Sequence, residues 1–331
     1  YTGRSPLEAA SIGIDLQPDD ITFRANLVTL SGETNYEDKT MVDYSSDEIS
    51  TSEAAELIAS LSKVLNNEHF SLYSGISYRH CLVWHHGQKG MDLTPPHDIT
   101  TKPIQEHLPK GDGSAILYSM MKESYDLLKE HPVNLKRIRR GLHPANSLWF
   151  WGEGSKPQLT SMQEKYGKKG AVISAVDLIK GIGILAGMES IDVEGATGTY
   201  NTNYEGKTEA ALNALKNGKD FVYIHMEGPD ECGHRHEVEN KITAIERIDE
   251  KVVGPMIKGL DEMGEDYAVL ILPDHATPLS VRTHVNDPVP YLLYRKGIDF
   301  DSGVSQYDED SARSTGIVVT AAHTLLNKMF Q

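Results

Sequence analysis

Cysteine is scarce in this sequence, which has only Cys81 and Cys232 among its 331 residues. Two thiols cannot build the framework of several disulfides on which small secreted proteins depend, so we predict a reducing, cytoplasmic location. Long apolar runs are missing as well, and no stretch approaches the roughly 20 residues that a membrane span needs. The sequence therefore argues against a disulfide scaffold and against a transmembrane protein.

Positive charge is also in short supply, because 32 lysines and arginines face 48 aspartates and glutamates, for a net charge of −16. This balance argues against nucleic acid or an anionic membrane as a partner. It does not exclude a small anionic metabolite, since arginines or metal ions can cluster locally. With 39% hydrophobic and 24% charged residues, the composition is that of an ordinary globular protein with room for two domains.

The first part of the chain has the pattern of a mixed domain. Ile21–Leu30 alternates between polar and apolar residues as a strand does, and Arg24 and Asn26 share its polar face. An amphipathic helix and a pair of antiparallel strands are predicted to follow. We therefore predict a smaller, inserted α+β domain over residues 15–142.

From residue 146 onward, predicted strands alternate with predicted helices, beginning with the apolar tripeptide at 149–151. Such βα units build a largely parallel sheet with helices on its faces. The sequence therefore predicts an α/β fold. Residues 143–331, together with 1–14, are assigned to the domain that contains this sheet.

Two predicted strands, at residues 221–225 and 268–273, are each followed by aspartate and histidine side chains. The first group is an Asp-x-x-x-His pair, a spacing that places both side chains on one face of a helix. Open α/β sheets carry their chemistry at such strand ends, and carboxylates mixed with imidazoles suit Zn or Mn. Five ligands exceed what one catalytic metal usually takes. The candidate ligands are Asp230, His234, Asp274, His275 and His284.

Three motifs in this region resemble those of a known family: DECGH at 230–234, PDHATP at 273–278 and RTHVNDPVP at 282–290. They are similar to the metal-binding signature of the alkaline phosphatase superfamily. More closely, they resemble the archaeal-type branch of the cofactor-independent phosphoglycerate mutases. Similar blocks, such as GRSPLEAASIGI, FRANLVTL and KGAVISAVDLIKGIG, extend over nearly the whole chain. The resemblance implies an alkaline phosphatase-like, largely parallel sheet flanked by helices, with the inserted domain described above.

The resemblance also divides the candidate ligands between two divalent ions, Mn or Zn, with Mg as a further candidate. One ion would be held by Asp230, His234 and His284, and the other by Asp274 and His275. In isolation, Asp230 and His234 would be better explained as a solvated pair at the start of a helix. The second group, which also follows a strand, makes the metal site the favoured interpretation.

The activity that the resemblance implies is the interconversion of 2- and 3-phosphoglycerate in glycolysis. In this family the reaction passes through a phosphoserine intermediate and needs neither ATP nor a bisphosphate cofactor. The family's nucleophilic serine and one further aspartate ligand precede the GRSPLEA block, where this sequence begins with Tyr1. The catalytic residue is therefore unknown, and we expect it in a segment before Tyr1. The alternative is an inactive protein, but the other ligands are intact, which favours a truncated sequence.

The resemblance further marks Arg24, Asn26 and Arg79 as substrate-binding residues, since arginines capture phosphate or carboxylate through paired hydrogen bonds. Each arginine alone is as often part of a surface ion pair. His97 is either a polar residue of the binding site or a turn former, and Lys180 either reaches the substrate or flanks a helix. The expected partner is a small phosphorylated metabolite.

Two blocks, at 42–50 and 149–157, depart from the family pattern: they contain Asp47, Glu48 and Glu153, whereas the corresponding blocks of typical archaeal members bear arginines. Negative charge at these positions would suit a substrate with an ammonium group. The pattern is similar to that of a bacterial subgroup proposed to be homoserine kinase-like. The alternatives to a mutase are therefore a homoserine kinase-like phosphotransferase and a non-catalytic binding protein on the same fold. The sequence leaves the exact substrate, the metal and the oligomeric state open.

Overall fold

The computed structural model describes residues 3–298 and 302–331. Within them the chain forms two units, each with β-sheet and helices of its own. The first unit contains the residues up to Leu159 together with Lys180–Leu185, and the second contains Thr160–Ile179 together with Ala186–Gln331.

The first unit is built on a five-stranded antiparallel sheet. Its strands are β1 (Ile21–Leu30), β2 (Met41–Asp43), β3 (Phe70–Tyr73), β4 (Arg79–Trp84) and β5 (Ser147–Ser155). The order is β2-β1-β4-β3, and β5, which lies outside this order, also pairs with the long strand β1. Its helices are α1 (Ser5–Ser11), α2 (Thr51–Leu65), α3 (Ser114–Leu128) and α4 (Pro132–Arg139), with 3₁₀ turns at Pro96–Ile99 and Gln105–His107.

The two faces of β1 have different surroundings, as its alternation predicts. Phe23 and Leu27 are fully buried in the main core of this unit, which also contains apolar side chains of α2 and α3. On the opposite face, Ser5 Oγ of α1 lies 2.7 Å from Thr22 Oγ1. Arg24 shares that second face. The predicted substrate residues of β1 therefore point away from the main core.

The position of β5 corrects one expectation. The tripeptide at 149–151 is predicted to open the series of βα units, but β5 pairs antiparallel with β1, and Phe150 lies opposite Ala25. The apolar character of this segment suits either kind of sheet, and its partner strand lies far away in sequence. The βα alternation starts only after β5.

The second unit has a parallel three-stranded sheet and an antiparallel strand pair. Its strands are β6 (Gly170–Ile173), β7 (Glu189–Ser190), β8 (Phe221–Ile224), β9 (Ala268–Ile271) and β10 (Leu292–Arg295), with sheet orders β7-β6-β8 and β10-β9. Its helices are α5 (Met162–Tyr166), the start of α6 (Asp177–Leu185), α7 (Tyr204–Lys216), α8 (Gly228–Arg235), α9 (Val238–Ile248), α10 (Gly254–Met263), α11 (Glu309–Ser314) and α12 (Leu325–Met329). The predicted α/β class is confirmed.

The predicted domain ranges 1–14, 15–142 and 143–331 stay a prediction, and parts of the first and third, at residues 1–2 and 299–301, lie outside the described residues. Among the described residues, none of the helices combines the length and the apolar character needed to cross a bilayer.

Candidate functional site

Helix α8 carries the first two predicted ligands. It begins shortly after β8 with Gly228 and Pro229, and a proline is well tolerated there because the first helical N–H groups have no intrahelical partner. Asp230 and His234 are four residues apart and lie on the same face, with Asp230 Oδ2 3.3 Å from His234 Nε2. The four-residue spacing predicted that Asp230 and His234 lie close together, and they do so in the structure.

His284, from the segment between β9 and β10, completes a group of three. Its Nε2 lies 3.1 Å from His234 Nε2 and 3.4 Å from Asp230 Oδ1. Ligand atoms about 2.1 Å from one ion are about 3.0 Å apart at octahedral angles and about 3.4 Å apart at the tetrahedral angle. The three side chains therefore have the mutual spacing of ligands around one divalent ion.

A backbone carbonyl determines which nitrogen of His234 faces this group. His234 Nδ1 lies 3.0 Å from Arg282 O, and since a carbonyl oxygen only accepts, Nδ1 carries the proton. The lone pair of Nε2 is then directed at His284 and Asp230. Metal-binding histidines are commonly oriented in this way by the hydrogen bond of the other ring nitrogen. The ring of His234 is therefore oriented so that its Nε2 can bind a cation.

Asp274 and His275 form the second group, just after β9. Asp274 Oδ2 lies 3.2 Å from His275 Nε2, and the ring of His275 packs against the ring of His284 with 3.7 Å between centroids. The structure thus brings all five candidate ligands together within the second unit. Their assignment as ligands stays a prediction.

A polar row beside this cluster was not predicted from the sequence. Ser174 follows β6 and His225 follows β8, and these strands are parallel neighbours. Ser174 Oγ lies 3.1 Å from His225 Nδ1, and His225 Nε2 lies 3.2 Å from Glu227 Oε2. Burial, and then the charge of Asp230, raises the pKa of Glu227. The signal that could have identified this row is its place at the carboxyl ends of adjacent parallel strands.

A buried lysine supports the same connection between β8 and α8. Lys207 Nζ donates a hydrogen bond to His225 O at 3.1 Å. Burial lowers the pKa of Lys207 to about 8, and the charge of Glu227 acts in the opposite direction. Lys207 therefore anchors the segment that leads into the first ligand group.

In the first unit, the predicted substrate residues Arg24 and Asn26 meet Trp151. The Arg24 guanidinium lies over the Trp151 ring, 4.3 Å from its centroid, and Trp151 Nε1 donates to Asn26 Oδ1 at 3.0 Å. Arg24 Nε lies 3.0 Å from Glu8 Oε2, but this buried N–H has no well-aligned acceptor among the described residues. The Arg24 guanidinium is thus held between Glu8 and the Trp151 ring, with its Nε turned away from solvent.

Two further predicted residues lie around the same face. Arg79 is directly opposite Asn26 in the pairing of β1 with β4, so both side chains point to one side of the sheet. The ring of His97 packs edge-on against Trp151, with 5.2 Å between centroids. Arg24, Asn26, Arg79 and His97 together with Trp151 are called the arginine face below.

Trp151 was missed because an aromatic residue in a strand usually indicates a core position. The fifth predicted substrate residue, Lys180, lies on α6, in the part of that helix that belongs to the first unit. Its role as a substrate ligand stays a prediction.

Two of the three acidic residues that suggest an amine substrate, Glu153 and Asp47, have partners of their own in the first unit. Glu153 accepts hydrogen bonds from the backbone N–H groups of Gly90, at 2.8 Å, and Met91, at 3.4 Å. Asp47 accepts one from the backbone N–H of His143 at 2.6 Å, and its other oxygen lies 3.1 Å from the ring of that histidine. Carboxylates used in this way are less available to an ammonium group.

Asp43, Asp47 and His143 also place three potential ligand atoms within 4.8 Å of one another. Their oxygens are largely taken up by a tight turn, since the backbone N–H groups of Ser45 and Asp47 donate to Asp43 at 2.8 Å and 2.5 Å. The hydrogen bonds of this turn are sufficient to explain why these three side chains lie close together, without a metal ion.

Two family models match the chain. The model described as 2,3-bisphosphoglycerate-independent phosphoglycerate mutase matches residues 1–134. The model described as type I phosphodiesterase / nucleotide pyrophosphatase matches residues 106–292. Together they cover the arginine face and all five candidate metal ligands.

The chain is similar to named proteins over almost its full length. It is 48% identical to a probable 2,3-bisphosphoglycerate-independent phosphoglycerate mutase of Geobacter sulfurreducens, over 99% of this chain and 82% of that protein. It is 46% identical to a 2,3-bisphosphoglycerate-independent phosphoglycerate mutase of Methanosarcina barkeri, over 98% of this chain and 80% of that protein.

Two solved structures are similar as well. A protein from Pyrococcus horikoshii has a TM-score of 0.75 and 28% identity, and the match covers 95% of this chain and 74% of that one. A cofactor-independent phosphoglycerate mutase from Thermoplasma acidophilum has a TM-score of 0.66 and 26% identity, and the match covers 100% of this chain and 82% of that one.

Proposed function

Because the chain belongs to the 2,3-bisphosphoglycerate-independent phosphoglycerate mutase family, within the alkaline phosphatase superfamily, we propose that it is an isomerase that interconverts 2- and 3-phosphoglycerate. The reaction is a metal-dependent phosphoryl transfer through a phosphoserine. The observation that carries this proposal is the 48% identity to a named mutase over 99% of the chain. A glycolytic role in the cytoplasm is part of the proposal.

Divalent metal dependence follows from the alkaline phosphatase-like fold, and the number and identity of the ions are proposals. We assign one ion, Mn or Zn, to Asp230, His234 and His284, and a second to Asp274 and His275. Such ions neutralise charge on a transferring phosphoryl group and lower the pKa of an attacking oxygen. The contribution of this chain is to hold the five side chains in two groups, with ligand atoms 3.1–3.4 Å apart in the first group and 3.2 Å apart in the second.

The arginine face is proposed to bind the acidic substrate. Arg24 and Arg79 provide planar guanidinium groups for paired hydrogen bonds to phosphate or carboxylate. Asn26 and His97 supply further polar atoms on the same side of the sheet. Trp151 holds the guanidinium plane of Arg24 by stacking, so the binding geometry is formed before the substrate arrives.

The homoserine kinase-like alternative rests on the acidic substitutions. Asp47 and Glu153 are engaged with backbone N–H groups, and this weakens the argument that they recognise an amine. Glu48 is exposed and keeps the alternative open. A direct comparison of the two reactions decides between them.

The test supplies the full-length protein, loaded with Mn²⁺, with 3-phosphoglycerate in one tube and with homoserine and ATP in another. We expect 2-phosphoglycerate to form in the first tube without ATP. Turnover only in the second tube would overturn the mutase assignment in favour of the kinase-like one. Turnover in neither, with the metal bound, would favour a non-catalytic binding protein.

Trp151→Phe probes the arginine face. Phenylalanine keeps a ring under Arg24 but loses the N–H that donates to Asn26, so we expect KM for 3-phosphoglycerate to rise about fivefold, the equivalent of one hydrogen bond, with kcat nearly unchanged. Steady-state kinetics of the full-length protein measure this. Trp84→Phe, a change of the same kind within the apolar core, is the matched control. Equal kinetics for Trp151→Phe and the wild-type protein would show that Trp151 does not act on the substrate site.

A further inference from the structure

The hydroxyl of Thr277 touches both groups of candidate metal ligands. Thr277 lies two residues beyond His275 and is only 5% exposed. Its Oγ1 is hydrogen-bonded to Asp230 Oδ1, a ligand atom of the first group. The same oxygen lies 3.2 Å from His275 Nδ1, in the second group. One buried oxygen therefore joins two side chains that the proposed function assigns to different ions.

The direction of these two hydrogen bonds follows from the groups involved. An ionised carboxylate only accepts, so Thr277 gives its single hydroxyl proton to Asp230. Toward His275 the oxygen must then act as acceptor, which places the ring proton on Nδ1. The lone pair of His275 is left on Nε2, the atom that lies 3.2 Å from Asp274 Oδ2. His275 Nε2 and Asp274 Oδ2 are then two acceptor atoms that face each other, an arrangement suited to binding a cation between them.

The backbone around Thr277 is held against α8. Lys241 Nζ donates to Thr277 O at 2.9 Å. A Cβ added to Gly233 of α8 would lie 2.5 Å from the same carbonyl oxygen, so only glycine allows the helix and this segment to approach so closely. Thr277 is thus fixed relative to the helix that carries Asp230 and His234, and its hydroxyl has little freedom to turn elsewhere.

We propose that Thr277 is a positioning residue shared by the two groups of metal ligands: it orients Asp230 and holds His275 as the Nδ1–H tautomer, with Nε2 free to bind a cation. The inference rests on the metal-dependent function proposed above. Its consequence is that one hydroxyl supports ion binding by both groups. Loss of such an outer hydrogen-bond partner typically weakens metal binding by about 10–100-fold.

The test compares Thr277→Val, which removes the hydroxyl, with Thr277→Ser, which keeps it. The matched control is Thr208→Val, which removes a buried threonine hydroxyl bonded to the carbonyl oxygens of Tyr204 and Lys251. Mn²⁺ affinity of the full-length protein is measured by titration. The tautomer of His275 is read from long-range ¹H–¹⁵N spectra of the metal-free protein.

We expect Thr277→Val to bind Mn²⁺ about 10–100-fold more weakly and to lose the pure Nδ1–H form of His275, whereas Thr277→Ser and Thr208→Val resemble the wild-type protein. Unchanged affinity and tautomer in Thr277→Val would overturn the inference while leaving the mutase proposal intact. The wild-type spectrum decides even if the valine variant fails to fold, because a His275 protonated on Nε2 contradicts the inference. Mutase activity is not needed for either measurement, so failure of the proposed function is recognised separately.

Discussion

Replacing Asp230 with asparagine is expected to remove the ion that we assign to the first ligand group and to lower kcat by roughly 10³-fold or more, because the proposed phosphoryl transfer depends on that ion. Asparagine has nearly the same size as aspartate, so the helix and its contacts should persist. His284→Ala should have the same effect, and since the His284 side chain is 51% exposed, little stability is lost with it. Elemental analysis and phosphoglycerate turnover of the full-length protein measure both effects.

Glu231→Gln is the matched control for the Asp230 variant. Glu231 lies next to Asp230 in the first turn of α8, carries the same charge and pairs with Arg235 at 2.9 Å. Metal content and activity should stay close to the wild-type values, because surface ion pairs contribute little. If Asp230→Asn and His284→Ala both retain the full metal content, the ligand assignment is wrong.

Arg24→Lys is expected to lower kcat/KM for 3-phosphoglycerate by about 100-fold, mainly through a higher KM. Lysine keeps the charge but loses both the planar fork and the stacking on Trp151, and one charge-assisted hydrogen bond alone contributes about 1.5–3 kcal/mol. Thermal unfolding should be recorded with the kinetics, because the Arg24 side chain is only 11% exposed. A large kinetic effect with a small shift in Tm would identify a binding role.

Arg4→Lys makes the same change at a second arginine that also pairs with Glu8. Arg4 Nε lies 2.7 Å from Glu8 Oε1, but its side chain is 49% exposed and lies at the surface. We expect kinetics within about twofold of the wild-type protein, since an exposed pair is weak. Equal losses in Arg4→Lys and Arg24→Lys would point to a structural role for Glu8 rather than to substrate binding by Arg24.

Much of the candidate site could be predicted because its parts are local. The four-residue spacing of Asp230 and His234 is enough to place them on one face of α8, and alternation along β1 is enough to place Arg24 and Asn26 on one side of the sheet. The motif resemblance then supplied His284 as their companion, and the structure places it within 3.4 Å of Asp230.

Other residues of the two candidate sites could not be predicted from the sequence, each for a different physical reason. From the sequence, Trp151 is indistinguishable from an ordinary strand residue, because an apolar side chain looks the same in a core and under a guanidinium. Ser174, His225 and Glu227 come together only because β6 and β8 are neighbours, and no local pattern specifies that neighbour. The acidic character of Glu153 was visible, but its backbone partners were not.

Single elements, and the family to which they belong, can be recognised along the chain: the faces of β1, the paired side chains of α8 and the candidate ligands that follow β9. The pairing of β5 with β1, and the contacts of Arg282 and Thr277 with the rings of His234 and His275, appear only in the folded protein. Side-chain periodicity is a property of one element, so it can be read along the chain. A hydrogen bond is short and directional and joins residues far apart in sequence, so its partner is specified only once the chain has folded.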